Sequence, residues 1–140
     1  MTESQDKLTD PEAVVTEFIR ASAELRVEDS IALMADDCEC WFTGVGSVPR
    51  EAFVNGMRAL LGAVTAPGPV IINDIMSDGE RVAVEYENKL PLNNGKLYHN
   101  HYHSKFVVRD GKITVIREYL DSAHVADVLQ GINPNEVTAG

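Results

Sequence analysis

Along the first half of the chain apolar residues return every three or four positions; from Val70 onward they return every second one. In the first regime Val14, Val15, Phe18, Ile19, Ala21 and Leu25 make one apolar stripe, which predicts a helix over 11–25. Thr9 or Asp10 supplies its N-cap, Pro11 its first turn, and Glu12 lies beside its positive dipole end. "VEDSIALMADD" reads as a second, shorter helix over 27–37, and "CECWF" behind it as a short alternating strand. A Gly-rich turn, "GVGS", precedes a third helix over about 49–64 that buries Phe53, Met57, Leu60 and Leu61. "TAPGP" stops it.

In the second regime "VIINDIMS", "RVAVEYENKL", "KLYHNHYHSKFVV" and "ITVIREYL" predict four consecutive antiparallel strands, separated by "DGE", "PLNNG" and "RDGK". "DSAHVADVLQG" is a closing helix with Asp121 or Ser122 as N-cap. Helices first and a meander afterwards is an α+β pattern: N-terminal helices packed on one face of a curved antiparallel sheet, in a cone-like shape. The expectation is a single domain over 1–140, with an ordered core of about 9–130 and polar tails at 1–8 and 131–140.

Composition changes this picture mainly by exclusion. Twelve Lys and Arg stand against 22 Asp and Glu, a formal charge of −10. That balance, with no basic cluster to offset it, repels nucleic acid and anionic membranes. No window reaches the roughly 20 apolar residues of a membrane span, and the N-terminus has no apolar h-region, so a cytoplasmic location is expected. Cys38 and Cys40 are two apart, pointing the same way in a strand, which does not fit a usual disulfide.

The most conspicuous chemistry is "LYHNHYHSKF", with His99, His101 and His103 at alternate positions. At about 3.3 Å per residue, His99 and His103 stand roughly 13 Å apart, so all three cannot share one ion bound at about 2 Å. A His-x-His pair would need a third ligand from a neighbouring strand, with Glu85, Glu87 and Arg117 as possible neighbours. Cys38-x-Cys40 is not structural zinc spacing. No metal or other cofactor is expected, and the histidines with Lys105 read as the outer face of the sheet. No Gly-rich phosphate loop, G-x-S-x-G elbow or Cys/His nucleophile pair is present.

"RDGKITVIREYLD", together with the "ADD"-strand opening at 33–42, resembles the SnoaL-like and ketosteroid-isomerase-like branch of the nuclear transport factor 2-like superfamily, over about 10–128. The limonene epoxide hydrolase group is similar as a neighbouring branch. The resemblance implies an apolar pocket between helices and curved sheet, and a homodimer through the outer sheet face. The general-base position of ketosteroid isomerases falls at about Phe42, and the first helix has no Tyr for an oxyanion. The two acid positions of the epoxide hydrolases match Glu87 and Glu118. Their Arg position matches Glu85, and their Tyr and Asn positions fall near Cys40 and Phe42.

Glu118 shares a strand face with Ile116 and Leu120, and a carboxylate in such apolar surroundings suits general acid/base work. The same parity also permits Glu118 to face solvent beside Arg81 or Lys105. Glu87 is Glu118's partner if the resemblance turns it inward, whereas its own strand pattern sends it to water with Glu85. Family position places Asn100 and Tyr102 toward the pocket as ligand-orienting groups, with core packing of Tyr102, its hydroxyl satisfied, as the equal alternative. Trp41, Phe18 and Met57 read as core or apolar pocket wall, and Ile116 shares the pocket-lining face with Glu118. Asp121 reads as an N-cap.

The resemblance therefore implies a pocket for a small apolar molecule of polyketide, terpenoid or steroid type. Two uses stay open. One is cofactor-free isomerisation, cyclisation or hydration with Glu118 and Glu87 as catalytic carboxylates, including an epoxide-hydrolase-like variant. The other is a non-catalytic binding or dimerisation domain.

Overall fold

The computed structural model describes residues 8–129; all but Leu8 and Thr9 of the N-terminal sequence and the tail beyond Leu129 lie outside it. Its elements are α1 (Pro11–Ala23), α2 (Val27–Ala32), β1 (Met34–Phe42), β2 (Gly46–Val48), α3 (Arg50–Gly62), β3 (Val70–Asp78), β4 (Arg81–Pro91), β5 (Leu97–Arg109), β6 (Lys112–Leu120) and α4 (Ser122–Val128). The strands form one open six-stranded sheet in the order β2-β1-β6-β5-β4-β3. Among the described residues no helix is long and apolar enough to cross a membrane.

Local chemistry accounts for most of the boundaries. The Asp10 carboxylate accepts from the Ala13 N–H at 3.0 Å, satisfying one of the orphan donors at the start of α1. From there Val14, Val15, Phe18 and Ile19 face the sheet, all buried. Ser22 Oγ meets Ser30 Oγ at 2.9 Å, and Ser30 Oγ also donates to the Phe18 carbonyl at 2.9 Å, pinning α2 across α1. The tight β5–β6 turn uses Asp110 at φ 52° and Gly111 at φ 78°, the left-handed pair that a two-residue hairpin requires.

The early strand departs from the sequence pattern. Helix α2 ends at Ala32 and β1 begins at Met34, inside the stretch read as helical. Leu33 is held by the sheet, its carbonyl accepting from the Ile113 N–H at 2.8 Å. Strand β1 runs parallel to β6, pairing Cys40 with Ile116 and Phe42 with Glu118, so the sheet is mixed rather than wholly antiparallel. Strand direction is set by where the chain re-enters the sheet, which no local period encodes. The Gly-rich turn also holds a three-residue strand, β2, antiparallel to β1, with Gly44 at φ 86° in the connection.

Register interruptions at Ile72/Asp74, Met34/Glu39 and Val107/Val108 bend the sheet around the helices, as bulges do. The narrow end of the resulting cone is solid. Phe106, Ile113 and Ile116 are wholly buried there, and Phe18 meets Phe106 edge to face at 5.8 Å between centroids.

Asn100 closes the wide end. Its side chain is fully buried; Oδ1 accepts from Asp121 N–H at 2.9 Å and Nδ2 donates to the Asp121 carbonyl at 3.3 Å. The same Oδ1 accepts from His101 N–H at 2.8 Å, and Nδ2 reaches the Tyr98 hydroxyl at 3.1 Å. Truncation would strand these buried groups. Asn100→Ala is therefore expected to lose about 2–3 kcal/mol of stability in urea unfolding; a loss below about 0.5 kcal/mol would show that the amide holds nothing in place.

Candidate functional site

Between α1, α3, α4 and the inner face of the sheet lies a cavity of about 420 Å³. Alternation on the strands decides what reaches it. On β4 the buried parity of Val82 and Val84 continues into Tyr86, Asn88 and Leu90, and these last three line the cavity. On β5 the buried parity contributes Tyr98 and Tyr102, and on β6 Glu118 and Leu120. Phe42 and Thr43 come from the end of β1, Phe18 and Ile19 from α1, Phe53, Met57 and Leu60 from α3, and Val125 and Leu129 from α4 and its end.

Three phenols dominate the polar part. Tyr86 and Tyr102 face each other across β4 and β5, their rings stacked 4° from parallel at 4.5 Å. The Tyr98 and Tyr102 hydroxyls are 2.6 Å apart, and Asn88 Nδ2 donates to the Tyr102 hydroxyl at 3.4 Å. Burial pushes Tyr98 up to about 12. Burial first, and then neighbouring charge including that of Glu118, keeps Tyr86 and Tyr102 well above the ordinary phenol range. At neutral pH all three are neutral donors.

Glu118 is the one acid among the described residues that line the cavity. No side-chain or backbone donor among those residues meets its carboxylate, and burial alone pushes it up to about 7. Directly across from it on β5, Ser104 is fully buried and its hydroxyl has no hydrogen-bond partner among the described residues.

The residues singled out in the sequence divide accordingly. Glu118, Tyr102, Phe18 and Met57 line the cavity. Glu87 does not; it lies on the opposite face of the sheet, 2.9 Å from His99 Nε2 and 3.0 Å from Asn73 Nδ2. The apolar parity of β4 takes Val82, Val84 and Tyr86 inward, which forces Glu85 and Glu87 outward. Trp41 is also on the outer face, beneath the Arg117 guanidinium at 4.0 Å and beside Tyr119. In "CECWF" the inward parity is Cys38, Cys40 and Phe42, so Phe42 takes the place expected for Trp41.

Ile116 belongs to the solid core rather than the cavity wall. Asn100 sits behind the wall, its side chain donating to the Tyr98 hydroxyl and its backbone N–H to Asn88 Oδ1 at 3.3 Å, both on lining residues. Asp121 caps α4, accepting from His124 N–H at 3.1 Å. Both cysteines are buried and free. Tyr86 and Asn88 join the wall without having been singled out in the sequence, although the unbroken inward parity of β4 is the signal for both.

The sequence pattern of the SnoaL-like domain matches residues 15–116. No curated protein is matched by the chain. Among solved structures, AclR from Streptomyces galilaeus is similar with a TM-score of 0.74 at 16% identity, over 89% of this chain and 98% of that one. An LEH-like epoxide hydrolase from M. tuberculosis gives 0.67 at 22% identity, over 91% and 95%. IdmH, a proposed polyketide cyclase from Streptomyces antibioticus, gives 0.70 at 16% identity, over 86% and 99%. At these identities the likeness is one of fold.

The raised Glu118 fixes the sign of a pH effect. A carboxyl that holds its proton more tightly when folded than its ordinary 4.5 favours the folded state below that value, and the advantage is lost as pH rises toward about 7. Glu118→Gln removes the penalty. In urea unfolding the variant is expected to exceed wild type by on the order of 2 kcal/mol at about pH 8, and the difference should shrink toward about pH 4.

Proposed function

That the chain belongs to the SnoaL-like domain family is the premise from which we propose that its cavity takes a small, largely apolar molecule and exchanges a proton with it through Glu118. The molecule carries a carbonyl, hydroxyl or epoxide, in the range of polyketide, terpenoid and steroid-like compounds. The reaction is an isomerisation, cyclisation or hydration in which this carboxylate is the acid or base. One observation carries the reading: a lone carboxylate, without a hydrogen-bond partner among the described residues, in an apolar cavity where burial pushes it up to about 7. A group poised there releases and regains a proton at neutral pH with little driving force wasted in either direction.

The neighbours have complementary tasks. Tyr102 and Tyr98 are neutral and linked at 2.6 Å, so one hydroxyl donates to the other and the remaining proton is available to a ligand oxygen. Asn88, also on the wall, donates to the Tyr102 hydroxyl. Phe42, Phe53, Met57 and Leu60 supply apolar wall around the carboxylate, suited to the hydrocarbon part of a ligand. A cavity of about 420 Å³ lies in the size range of drug-sized ligand sites.

An epoxide opening that relies on two carboxylates is disfavoured, because Glu87 lies across the sheet from Glu118. The non-catalytic reading has its own support: nothing aligns the Glu118 carboxylate, and no second acid joins it among the described lining residues. Deuterium exchange separates the two. A panel of steroid-like and polyketide-like ketones is first screened for binding, and exchange α to the carbonyl of the binders is followed by NMR in D2O. Catalysis predicts exchange that Glu118→Gln lowers by about 10²–10⁴-fold while binding persists. Binding with no exchange above the buffer rate, in wild type and variant alike, establishes the plain binder.

A further inference from the structure

The outer face of the sheet assembles something its sequence could not specify. Strand β5 presents His99 and His101 on that face, and the β4–β5 register sets Glu87 directly opposite His101. Glu87 Oε1 lies 2.9 Å from His99 Nε2 and 3.4 Å from His101 Nε2. One ligand-capable atom from each of the three residues lies within 4.8 Å of the others. The two imidazole rings are tilted 32° with centroids 4.8 Å apart, so both present a nitrogen to the same carboxylate oxygen.

From this geometry we infer that Glu87, His99 and His101 form a binding site for a divalent transition ion of the zinc class, with one coordination position open to solvent. Two imidazoles and one carboxylate are donors suited to zinc, copper or nickel. Tetrahedral ligands about 2 Å from an ion stand roughly 3.3 Å apart, so closing this set requires side-chain adjustments of about 1 Å.

The surroundings favour that closure. The register shift between Ile72 and Asp74 frees Asn73 from the ladder, and its Nδ2 donates to Glu87 Oε2 at 3.0 Å. That bond occupies one carboxylate oxygen and aims the other at the imidazoles, as supporting hydrogen bonds do for ligating carboxylates. His99 is half-buried, which limits its rotamers, while His101 is exposed and leaves a path for the ion. The formal charge of −10 draws cations to the protein. Lys89, opposite His99, is the nearest opposing charge in the register, and it is exposed on a flexible stem. His103 pairs instead with Glu85 at 3.4 Å. The distance argument against a three-histidine site therefore stands; the third ligand is the carboxylate from β4.

The test is titration of chelator-treated protein with Zn²⁺ alone by calorimetry, and with Co²⁺ followed by its visible absorption. Wild type should bind one equivalent and give the spectrum of a nitrogen- and oxygen-ligated ion. His101→Ala, an exposed substitution that leaves folding intact, and Glu87→Gln should each weaken binding about tenfold or more. Asn73→Ala should weaken it by about tenfold through loss of carboxylate orientation. His103→Ala should stay within about twofold of wild type. Absence of stoichiometric binding in wild type would overturn the assignment, and so would a loss in His103→Ala equal to that in His101→Ala.

Discussion

The side-chain amide of Asn100 does the work of a peptide group where the sheet has run out of one. The β5–β6 ladder ends with Tyr102 opposite Leu120, and beyond it the chain must leave the sheet to begin α4. Asn100 meets the N–H and carbonyl of Asp121 with its own carbonyl and amide, adding a last rung made from a side chain. That rung fixes the start of α4, whose Ser122, Val125 and Ala126 form part of the cavity wall. The same amide orients the Tyr98 hydroxyl and, through it, Tyr102. Cavity shape and cavity polarity thus rest on one buried group whose hydrogen-bonding capacity is fully engaged.

Above that rung the site is a contrast between satisfied and unsatisfied polar groups. The phenols and amides at the wide end are linked to one another, whereas among the described residues Glu118 meets neither a donor nor an opposite charge and the Ser104 hydroxyl beside it has no hydrogen-bond partner. A protein interior rarely leaves such groups without partners unless function holds them there. The cost of Glu118 is moderated because it keeps its proton through much of the acidic range.

Much of this was legible from parity. The strict alternation of "YHNHYHSKF" separates an inner set, Tyr98, Asn100, Tyr102, Ser104 and Phe106, from the outer histidines, and the structure keeps that division. The inward turn of Glu118 follows from its parity with Ile116. Glu87 illustrates the opposite case: its strand pattern pointed outward, matching the structure, while family position suggested inward. Residues such as Asn100 and Ile116 were assignable to a face but not to a depth, since whether an inward side chain touches a cavity or fills the core depends on helices packed from elsewhere. The direction of β1 and the Glu87–His101 juxtaposition are long-range facts, fixed by strand order and register.

The bulge at Ile72/Asp74 has a consequence beyond aiming Asn73. Among the described residues strand β3 is the long unpaired edge of the sheet, nine residues against three in β2 at the other side. A flat edge of that length is a template on which another copy could add a strand and begin aggregation. The bulge breaks the edge into two short registers, and Asp74 and Asp78 put exposed negative charge along the second. Ser77, bonded to Glu12 of α1 at 2.6 Å, ties that second half to a helix. The irregularity that shapes one face of the sheet thus also guards its edge against strand-by-strand growth.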